Sequence, residues 1–263
     1  CSGSVADSPL PVEERVDRAE LLGHVEYLAS DELEGRFPGS EGGLKAREYI
    51  ISHFETYGLS AFGDTWEQPF THEGLSAANI VGYVEGRVNP DRYIVVTAHF
   101  DHLGIRDGEI YNGADDNASG TGGLLAAARW FGENPPDNSL IFVALDAEEQ
   151  GLRGAFHFVD QPVVPLEEMV LNVNMDMISN NFDNQIYASG TWHYEFLRPV
   201  IEASVRTSPV EVRFGHDNPS GRGQDWTTMS DHYAFHRVGI PYIYFGVEDH
   251  DYYHTPGDTY EQI

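Results

Sequence analysis

Histidine and carboxylate side chains recur at five places along this 263-residue chain, each close to an apolar run. They are His99 with Asp101, Asp115 with Asp116, Glu148 with Glu149, Asp176, and His254. Imidazole nitrogens and carboxylate oxygens bind zinc in proteins, and two histidines favour zinc over ions that prefer oxygen alone. Two imidazoles and three carboxylates suit two Zn²⁺ ions with one bridging carboxylate. The residue types therefore predict a dinuclear zinc centre.

The segments between these places predict the elements that would hold them. Near-continuous apolar runs indicate strands buried on both faces, and apolar residues at helical spacing indicate amphipathic helices. The predicted strands are 78–84, 93–99, 140–146, 169–176 and 241–245. The predicted helices are 13–29, 43–57, 120–132, 151–160, 192–206 and 230–238.

The candidate ligands sit just after predicted strands, and this position is informative. In open α/β sheets the ligand crevice lies outside the carboxyl ends of the strands. We therefore expect five strand ends to deliver His, Asp, Glu, Asp and His toward one rim. Asp101 lies two residues beyond His99, on the same side of a strand. Its carboxylate is expected to accept the second imidazole N–H and hold the ring in the metal-binding tautomer.

The order of elements predicts an α/β fold with three layers, α/β/α, in which helices flank a predominantly parallel mixed central sheet. The sequence shows no internal repeat, no low-complexity segment and no second composition regime. We expect one catalytic domain over residues 13–263. Residues 1–12 are small, polar and proline-bearing, which predicts a linker.

The chain is strongly acidic, with 15 Lys+Arg against 43 Asp+Glu and a formal charge of −28. A field of this sign repels phosphate backbones and anionic membrane surfaces, so no nucleic-acid partner is expected. No uninterrupted apolar run reaches the roughly 18 residues of a transmembrane helix. An acidic coat with a single lysine, Lys45, is also typical of proteins adapted to salt.

Six motifs give the sequence a resemblance to a known family. They are AHFDH, NGADDNASG, DAEEQGLRG, NMD, SDHYAF and HDYYHTPGDT, and their order along the chain is the family's order. With the opening LASDELEGRFPGSEGGLKAREYI, the chain resembles the co-catalytic two-zinc aminopeptidases, metallopeptidase family twenty-eight, from about residue 20 onward. The resemblance implies a zinc exopeptidase that hydrolyses peptides with a free N-terminus and has two Zn²⁺ as cofactors.

The resemblance also assigns roles to individual residues. It implies His99 and Asp176 as ligands of one zinc, Glu149 and His254 as ligands of the other, and Asp116 as the bridge. Asp115 is the neighbouring alternative for that bridge. Three further roles follow from the same resemblance: Glu148 as general base, Asp101 as the residue that orients His99, and a cis peptide between Asp116 and Asn117.

Other residues of these motifs receive weaker assignments. Tyr253 matches a tyrosine that assists the oxyanion in several family members, with Tyr252 as its alternative. Five further histidines are expected at the surface or just outside the ligands: His102, His216, His232, His236 and His250. Of these, His232 and His250 are expected nearest the site. The segment 214–229 is expected to contribute to the specificity pocket.

Two other functions fit the same fold. Glutaminyl cyclases keep similar metal positions, although GLRG after the Glu pair and Asn117 after the bridging Asp resemble the peptidases more closely. A receptor-like ectodomain without catalysis usually loses ligands, whereas all five candidate ligands and Glu148 are present here.

Two expectations concern the ends of the chain. Cys1 is the single cysteine, and a chain that begins at cysteine resembles a bacterial lipoprotein after signal-peptide cleavage. This predicts an exported protein, either periplasmic and anchored to the outer membrane through Cys1 or extracellular, and we expect a monomer. Family members usually continue past HTPGDT into a closing helix, whereas this sequence stops at Ile263. Either the C-terminus is trimmed, or the last helix is missing and the edge near His254 is less supported.

Overall fold

The computed structural model describes residues 15–181, 183–221 and 223–263. The predicted linker 1–12 and the proposed anchor at Cys1 lie outside the described residues. Within those ranges no helix combines the length and the apolarity that crossing a bilayer requires.

Eight strands form one mixed sheet, and two short strands form a separate hairpin. In chain order the strands are β1 Glu67–His72, β2 Leu75–Val84, β3 Asn89–His99, β4 Gly104–Arg106, β5 Glu109–Tyr111, β6 Asn138–Leu145, β7 Met169–Met175, β8 Gln185–Ser189, β9 Glu211–Phe214 and β10 Tyr242–Gly246. The spatial order in the large sheet is β1-β2-β6-β3-β7-β10-β8-β9, while β4 pairs with β5. The four central strands β6, β3, β7 and β10 run parallel to one another, so their carboxyl ends meet at one edge.

Helices cover both faces of the sheet. The α-helices are α1 Arg18–Leu28, α2 Glu41–Thr56, α3 Gly120–Glu133, α4 Arg153–Asp160, α5 Arg198–Ser204 and α6 His232–Arg237. Short 3₁₀ segments span Asp31–Arg36, Leu166–Glu168, Glu195–Leu197, Val205–Thr207 and Tyr260–Gln262, and a π-helical segment spans Ala114–Ser119.

The alternation of side chains along β6 shows how the layers are held together. Phe142 packs into an apolar cluster with Phe54 of α2 and Leu124 of α3. Its neighbour Val143 packs on the opposite face with Phe158 of α4. Because successive residues of a strand point to opposite faces, a strand that is apolar at every position must be covered on both sides. The predicted three-layer α/β/α fold is confirmed.

The sequence prediction missed five strands, which are short or lie toward the margins of the sheet. The five are β1, β4, β5, β8 and β9. Two of them, β1 and β9, form the edges of the large sheet, and β1 even contains Pro69, which an edge strand tolerates because it has an unpaired side. Predicted helix 192–206 is likewise reduced to 3₁₀ turns around the seven-residue α5, with Pro199 in its first turn. Short or half-exposed elements lack the long apolar pattern on which the prediction depends.

The buried Arg36 connects the N-terminal helix α1 to the chain segments that follow β3 and β5. Arg36 is fully buried, and its guanidinium donates to the carbonyls of Phe100 at 2.6 Å, Asn112 at 2.6 Å and Gly113 at 2.9 Å, and to that of Leu28. Burial lowers the pKa of Arg36 to about 10, so the side chain stays charged at neutral pH. One side chain therefore joins the end of α1, the chain after β3 and the segment that leads into Ala114–Ser119.

Replacing Arg36 should destabilise the protein strongly. Arg36→Met removes the side-chain donor from four buried carbonyls, of which that of Gly113 keeps another donor, the N–H of Ala118, and we expect the free energy of unfolding to fall by about 3–5 kcal/mol. Urea denaturation measures this change. The control is Arg87→Met, because Arg87 is exposed and 3.7 Å from the exposed Asp137, and its loss should cost no more than about 0.5 kcal/mol. Equal stability of the two variants would contradict the role given to Arg36.

Candidate metal centre

The ring of His99 is oriented by main chain at the end of β3. Its Nδ1 lies 3.2 Å from the carbonyl oxygen of Asp101. Since a carbonyl can only accept, Nδ1 must carry the proton, and the neutral ring therefore presents an unprotonated Nε2. This Nε2 lies 3.2 Å from Oδ1 of Asp176 and 3.4 Å from Oδ1 of Asp116. The main chain thus orients the ring with Nε2 toward the two carboxylates.

The expected role of the Asp101 side chain needs a correction. Its Oδ1 is 3.7 Å from Nδ1 of His99, beyond hydrogen-bonding distance. The carboxylate instead accepts the main-chain N–H groups of Glu148 at 3.0 Å and Glu149 at 3.4 Å. Strand β3 ends at His99, so the two-residue alternation of a strand does not extend to Asp101. Asp101 thus orients His99 through its carbonyl and fixes the two glutamates through its carboxylate.

Asp116 lies between the two halves of the centre. Its Oδ1 faces Nε2 of His99, and its Oδ2 is 3.0 Å from Nε2 of His254. The peptide between Asp116 and Asn117 is cis. Asp116 does not follow a strand of the large sheet. Four strand ends, rather than the five expected, therefore carry candidate ligands to the edge of the sheet. Asp116 reaches the site from the π-helical segment Ala114–Ser119.

Asp115 is buried, but its carboxylate points away from this cluster. Its Oδ1 accepts the Ser179 hydroxyl at 2.7 Å, the Ser179 N–H at 2.9 Å and the Ser119 hydroxyl at 3.1 Å. Its Oδ2 lies 3.2 Å from Nε2 of His250. These partners saturate Asp115 and leave the bridging position to Asp116.

The second half of the centre contains one histidine more than expected. Oε1 of Glu149 lies 3.2 Å from Nε2 of His254 and 2.8 Å from Nδ1 of His102. Oδ2 of Asp116 is 3.8 Å from the same Nδ1 of His102. Of the described residues, two groups could thus hold a metal ion: His99, Asp116 and Asp176, and His102, Asp116 and Glu149. Nε2 of His254 lies next to the carboxylate oxygens of Asp116 and Glu149 in the second group.

The donors fit zinc on their own chemistry. The side chains are imidazoles and carboxylates, which bind zinc at about 2.0–2.2 Å. Oε1 of Glu149 is buried and has no hydrogen-bond partner in the described chain, although it lies near two imidazoles. A buried carboxylate oxygen without a donor is costly unless a cation neutralises it. Both halves therefore suit a divalent ion.

Glu148 belongs to neither group of donors but faces the same cavity. Burial raises its pKa well above the ordinary value of a glutamate, and the negative charges of Asp231, Asp176 and Glu149 act in the same direction. The carboxylate is thus prepared to take up a proton. This is the electrostatic condition for a general base that later acts as an acid.

The cavity over the centre is lined by acidic residues and by apolar or aromatic ones. The acidic residues are Asp116, Glu148, Asp176 and Asp249, and the others, besides His254, are Met177, Trp226, Met229, Tyr244, Val247 and Tyr253. Trp226 and Met229 come from the segment 214–229. Tyr253 stacks on His254 with ring centroids 4.0 Å apart, whereas Tyr252 is not among the residues that line this cavity.

The remaining histidines have structural positions. His102 was expected at the surface or outside the ligands, and its fully buried ring, which lies against Glu149, excludes the surface position. His232 does not line the cavity but stacks on Tyr244, which does, at 4.7 Å. His216 stacks on the far side of the cavity wall against Trp226 at 3.7 Å. His236 is remote from the donors and contacts the hydroxyl of Tyr194 at 2.8 Å.

Sequence reasoning missed Asp258, which fixes the backbone of the bridging residue. Its buried carboxylate accepts the N–H of Asp115 at 2.9 Å and that of Asp116 at 3.1 Å, one on each oxygen. Its place in the HTPGDT motif was the available signal. Because the motif contains His254 four residues earlier, one turn supplies both a candidate ligand and the support of the bridge.

Comparison with known proteins places these residues in context. The model of peptidase family M28 matches residues 79–263. Aminopeptidase YwaD of Bacillus subtilis (strain 168) is 31% identical over 208 residues, which make up 74% of this chain and 42% of YwaD. Aminopeptidase NAALADL1 of Mus musculus is 26% identical over 217 residues, 72% of this chain and 28% of the relative. The chain thus spans less than half the length of these curated relatives.

Solved structures show the same architecture. A zinc aminopeptidase from Bacillus subtilis, BSAP, superposes with a TM-score of 0.72 at 18% identity and covers 97% of this chain and 91% of its own. The glutaminyl cyclase of Porphyromonas gingivalis superposes with a TM-score of 0.75, also at 18% identity, over 95% of this chain and 92% of its own. At this identity the likeness shows the fold alone.

The role of Asp258 can be tested through metal affinity. In Asp258→Asn one carboxylate oxygen becomes an NH₂ group, so one of the two N–H donors loses its acceptor and the bridge loosens. We expect zinc affinity, measured by competition with a chelator, to fall by about 10–100-fold. The control is Asp251→Asn at an exposed position of the same turn, which should leave affinity unchanged. Wild-type affinity of Asp258→Asn would show that the backbone needs no such support.

Proposed function

Since this chain belongs to peptidase family M28, we propose that it is a zinc-dependent aminopeptidase that releases N-terminal residues from peptides at a centre of two zinc ions. One observation carries the proposal. Two groups of zinc-type donors share Asp116, and the half-buried Glu148 faces the same cavity. The relatives YwaD and NAALADL1, both named aminopeptidases, support this reading.

The ligands divide between the two ions. His99 and Asp176 would hold one ion, Glu149 and His254 the other, and Asp116 would bridge them through its two oxygens. When bound, zinc supplies Lewis acidity, which polarises a carbonyl and makes water acidic enough to serve as a nucleophile near neutral pH. The role of the chain is to hold these donors in place, and the carbonyl of Asp101 does so for His99 by fixing the ring with Nε2 toward the carboxylates.

Glu148 would perform the proton transfers. Its main-chain N–H is fixed by the carboxylate of Asp101, which limits the directions in which the side chain can extend. The raised pKa of Glu148 suits a carboxylate that accepts a proton from water and returns it to the nitrogen of the leaving amine.

Tyr253 would donate a hydrogen bond to the oxyanion of the tetrahedral intermediate. Burial, together with the charge of Asp116, raises the pKa of its hydroxyl, so the group stays protonated at neutral pH. A donor aimed at a developing oxyanion contributes roughly 3–4 kcal/mol to transition-state stability. The stacking of Tyr253 on His254 would hold that donor beside the centre.

The lining of the cavity supports a substrate with a free N-terminus. The carboxylate of Asp249, which is not among the proposed ligands, attracts an α-ammonium group and repels a C-terminal carboxylate. The apolar lining residues, with Trp226 and Met229 of segment 214–229, would receive the first side chain of the peptide.

A glutaminyl cyclase is the second candidate, favoured only by the structural superposition. The two activities require different substrates, an N-terminal aminoacyl amide for the peptidase and an N-terminal glutaminyl residue for the cyclase. Release of nitroaniline from aminoacyl-nitroanilides with no cyclisation of a glutaminyl peptide would support the peptidase. The reverse outcome would overturn it.

The base assignment predicts a separation of activity from metal content. Glu148→Gln removes the proton acceptor but no ligand, so we expect two zinc ions per chain by elemental analysis and a loss of about 10²–10⁴-fold in kcat. The control is Glu85→Gln at an exposed position, which should keep both activity and zinc.

Two outcomes would contradict this assignment. Full activity of Glu148→Gln would show that another group moves the proton. Loss of zinc together with activity would show that Glu148 is a ligand rather than a base.

A further inference from the structure

His102 has an environment that neither a surface histidine nor a packing residue would have. The ring is fully buried, and neither nitrogen has a hydrogen-bond partner in the described chain. Burying unpaired polar atoms is costly, and a cation beside Nδ1 would satisfy one of the two. Nδ1 points into the second half of the centre, 2.8 Å from Oε1 of Glu149 and 3.8 Å from Oδ2 of Asp116.

The distances among the donors are those of ligands around one ion. Donor atoms about 2.1 Å from a tetrahedral zinc lie roughly 3.4 Å from one another. Around this half of the centre, the two contacts of His102 are 2.8 and 3.8 Å, and the two of His254 are 3.0 and 3.2 Å. These four distances bracket the tetrahedral value. The first half shows the same spacing, with 3.2 and 3.4 Å around Nε2 of His99.

A plain hydrogen bond to Glu149 explains the contact less well. The separation of 2.8 Å is short enough, but Nδ1 of His102 and Oε1 of Glu149 are not aligned as donor and acceptor. Ligands of one ion direct their lone pairs at the ion and not at one another, so close but misaligned donors are what such a set shows.

A glycine makes room for the ring in this place. A Cβ atom at Gly113 would overlap the carbonyl oxygen of Asp116 and lie 2.6 Å from both Cγ and Cδ2 of the imidazole of His102, and Gly113 itself has a φ of +60°. Only a residue without a side chain fits between the bridging residue and the imidazole. Gly113 thus allows the ring of His102 and the main chain of Asp116 to lie close together.

We propose that Nδ1 of His102 is a fourth protein ligand of the ion held by Asp116, Glu149 and His254. The inference rests on the proposed two-ion centre and adds a ligand to it. It makes the centre asymmetric, with four protein ligands on the side of His102 and three on the side of His99. Closed four-ligand sites retain their metal, whereas sites with three protein ligands keep a position for water or substrate. The open position therefore lies on the side of His99, next to Glu148.

Nuclear magnetic resonance of the cadmium-loaded protein with isotope-labelled histidine tests the ligation directly. Scalar coupling to cadmium is expected at Nε2 of His99, Nε2 of His254 and Nδ1 of His102. His102→Gln, which retains a polar side chain, should remove the Nδ1 coupling and keep the other two. His72→Gln, a control at a histidine on edge strand β1, should keep all three. Coupling confined to His99 and His254 would overturn the proposal.

Zinc affinity gives a second measurement that does not depend on activity. Loss of an outer hydrogen-bonding partner typically costs 10–100-fold in affinity. For His102→Gln we expect one of two ions to be released at a chelator concentration lower by more than about 100-fold, while the other is unchanged. An unchanged release of both ions would refute ligation.

These measurements are independent of the proposed function. If the wild-type protein shows the three couplings but cleaves no aminoacyl substrate, the ligand assignment stands and the aminopeptidase proposal fails. If it cleaves the substrate with coupling at only two histidines, the aminopeptidase proposal stands and His102 is not a ligand.

Discussion

Negative charge brought together in a buried place is the constraint on which this structure depends. Five carboxylates that are fully or largely buried meet at one rim of the sheet: Asp101, Asp116, Glu148, Glu149 and Asp176. An unpaired carboxylate in a protein interior is strongly unfavourable, so a cluster persists only where cations or aligned N–H groups compensate it. The histidines and the buried Arg36 provide part of that compensation, and the two proposed divalent ions would provide the rest.

The sheet topology brings the acidic side chains together, and the loops after the strands determine their final positions. Parallel pairing of β6, β3, β7 and β10 brings three of the donor-bearing strand ends side by side, and β10 leads into the turn that carries His254. Asp116 alone arrives by another route, from the π-helical segment that Arg36 anchors from one side and Asp258 from the other. The bridging carboxylate is therefore the donor whose position depends most on contacts distant in sequence.

The acidic residues around the centre have two physical tasks. Asp116, Glu149 and Asp176 direct their oxygens at imidazoles and suit a metal. Asp101 and Asp258 direct theirs at main-chain N–H groups, and they thereby fix the backbone of Glu148, Glu149 and Asp116. Carboxylates of the second kind contribute rigidity, which a centre needs if its donors are to keep their geometry when no ion is bound.

The sequence by itself determined the central strands, the helices that cover them and the set of chemical groups at the rim. Apolar runs and helical periodicity are local properties, and a buried strand such as β6 must be apolar wherever it lies. The edge strands β1 and β9 escaped prediction because exposure on one side removes that pattern. The residue types and motifs also pointed to five candidate donors, although not to His102, because imidazoles and carboxylates keep their chemistry in any fold.

Only the tertiary structure decided which way each side chain points. It separated Asp116 from Asp115, moved the hydrogen bond of His99 from the carboxylate of Asp101 to its carbonyl, and brought His102 among the donors. These choices depend on partners such as Asp258, which lies 143 residues beyond Asp115 in sequence. Side-chain direction follows from backbone geometry and long-range packing, and neither is encoded in the spacing of neighbouring residues.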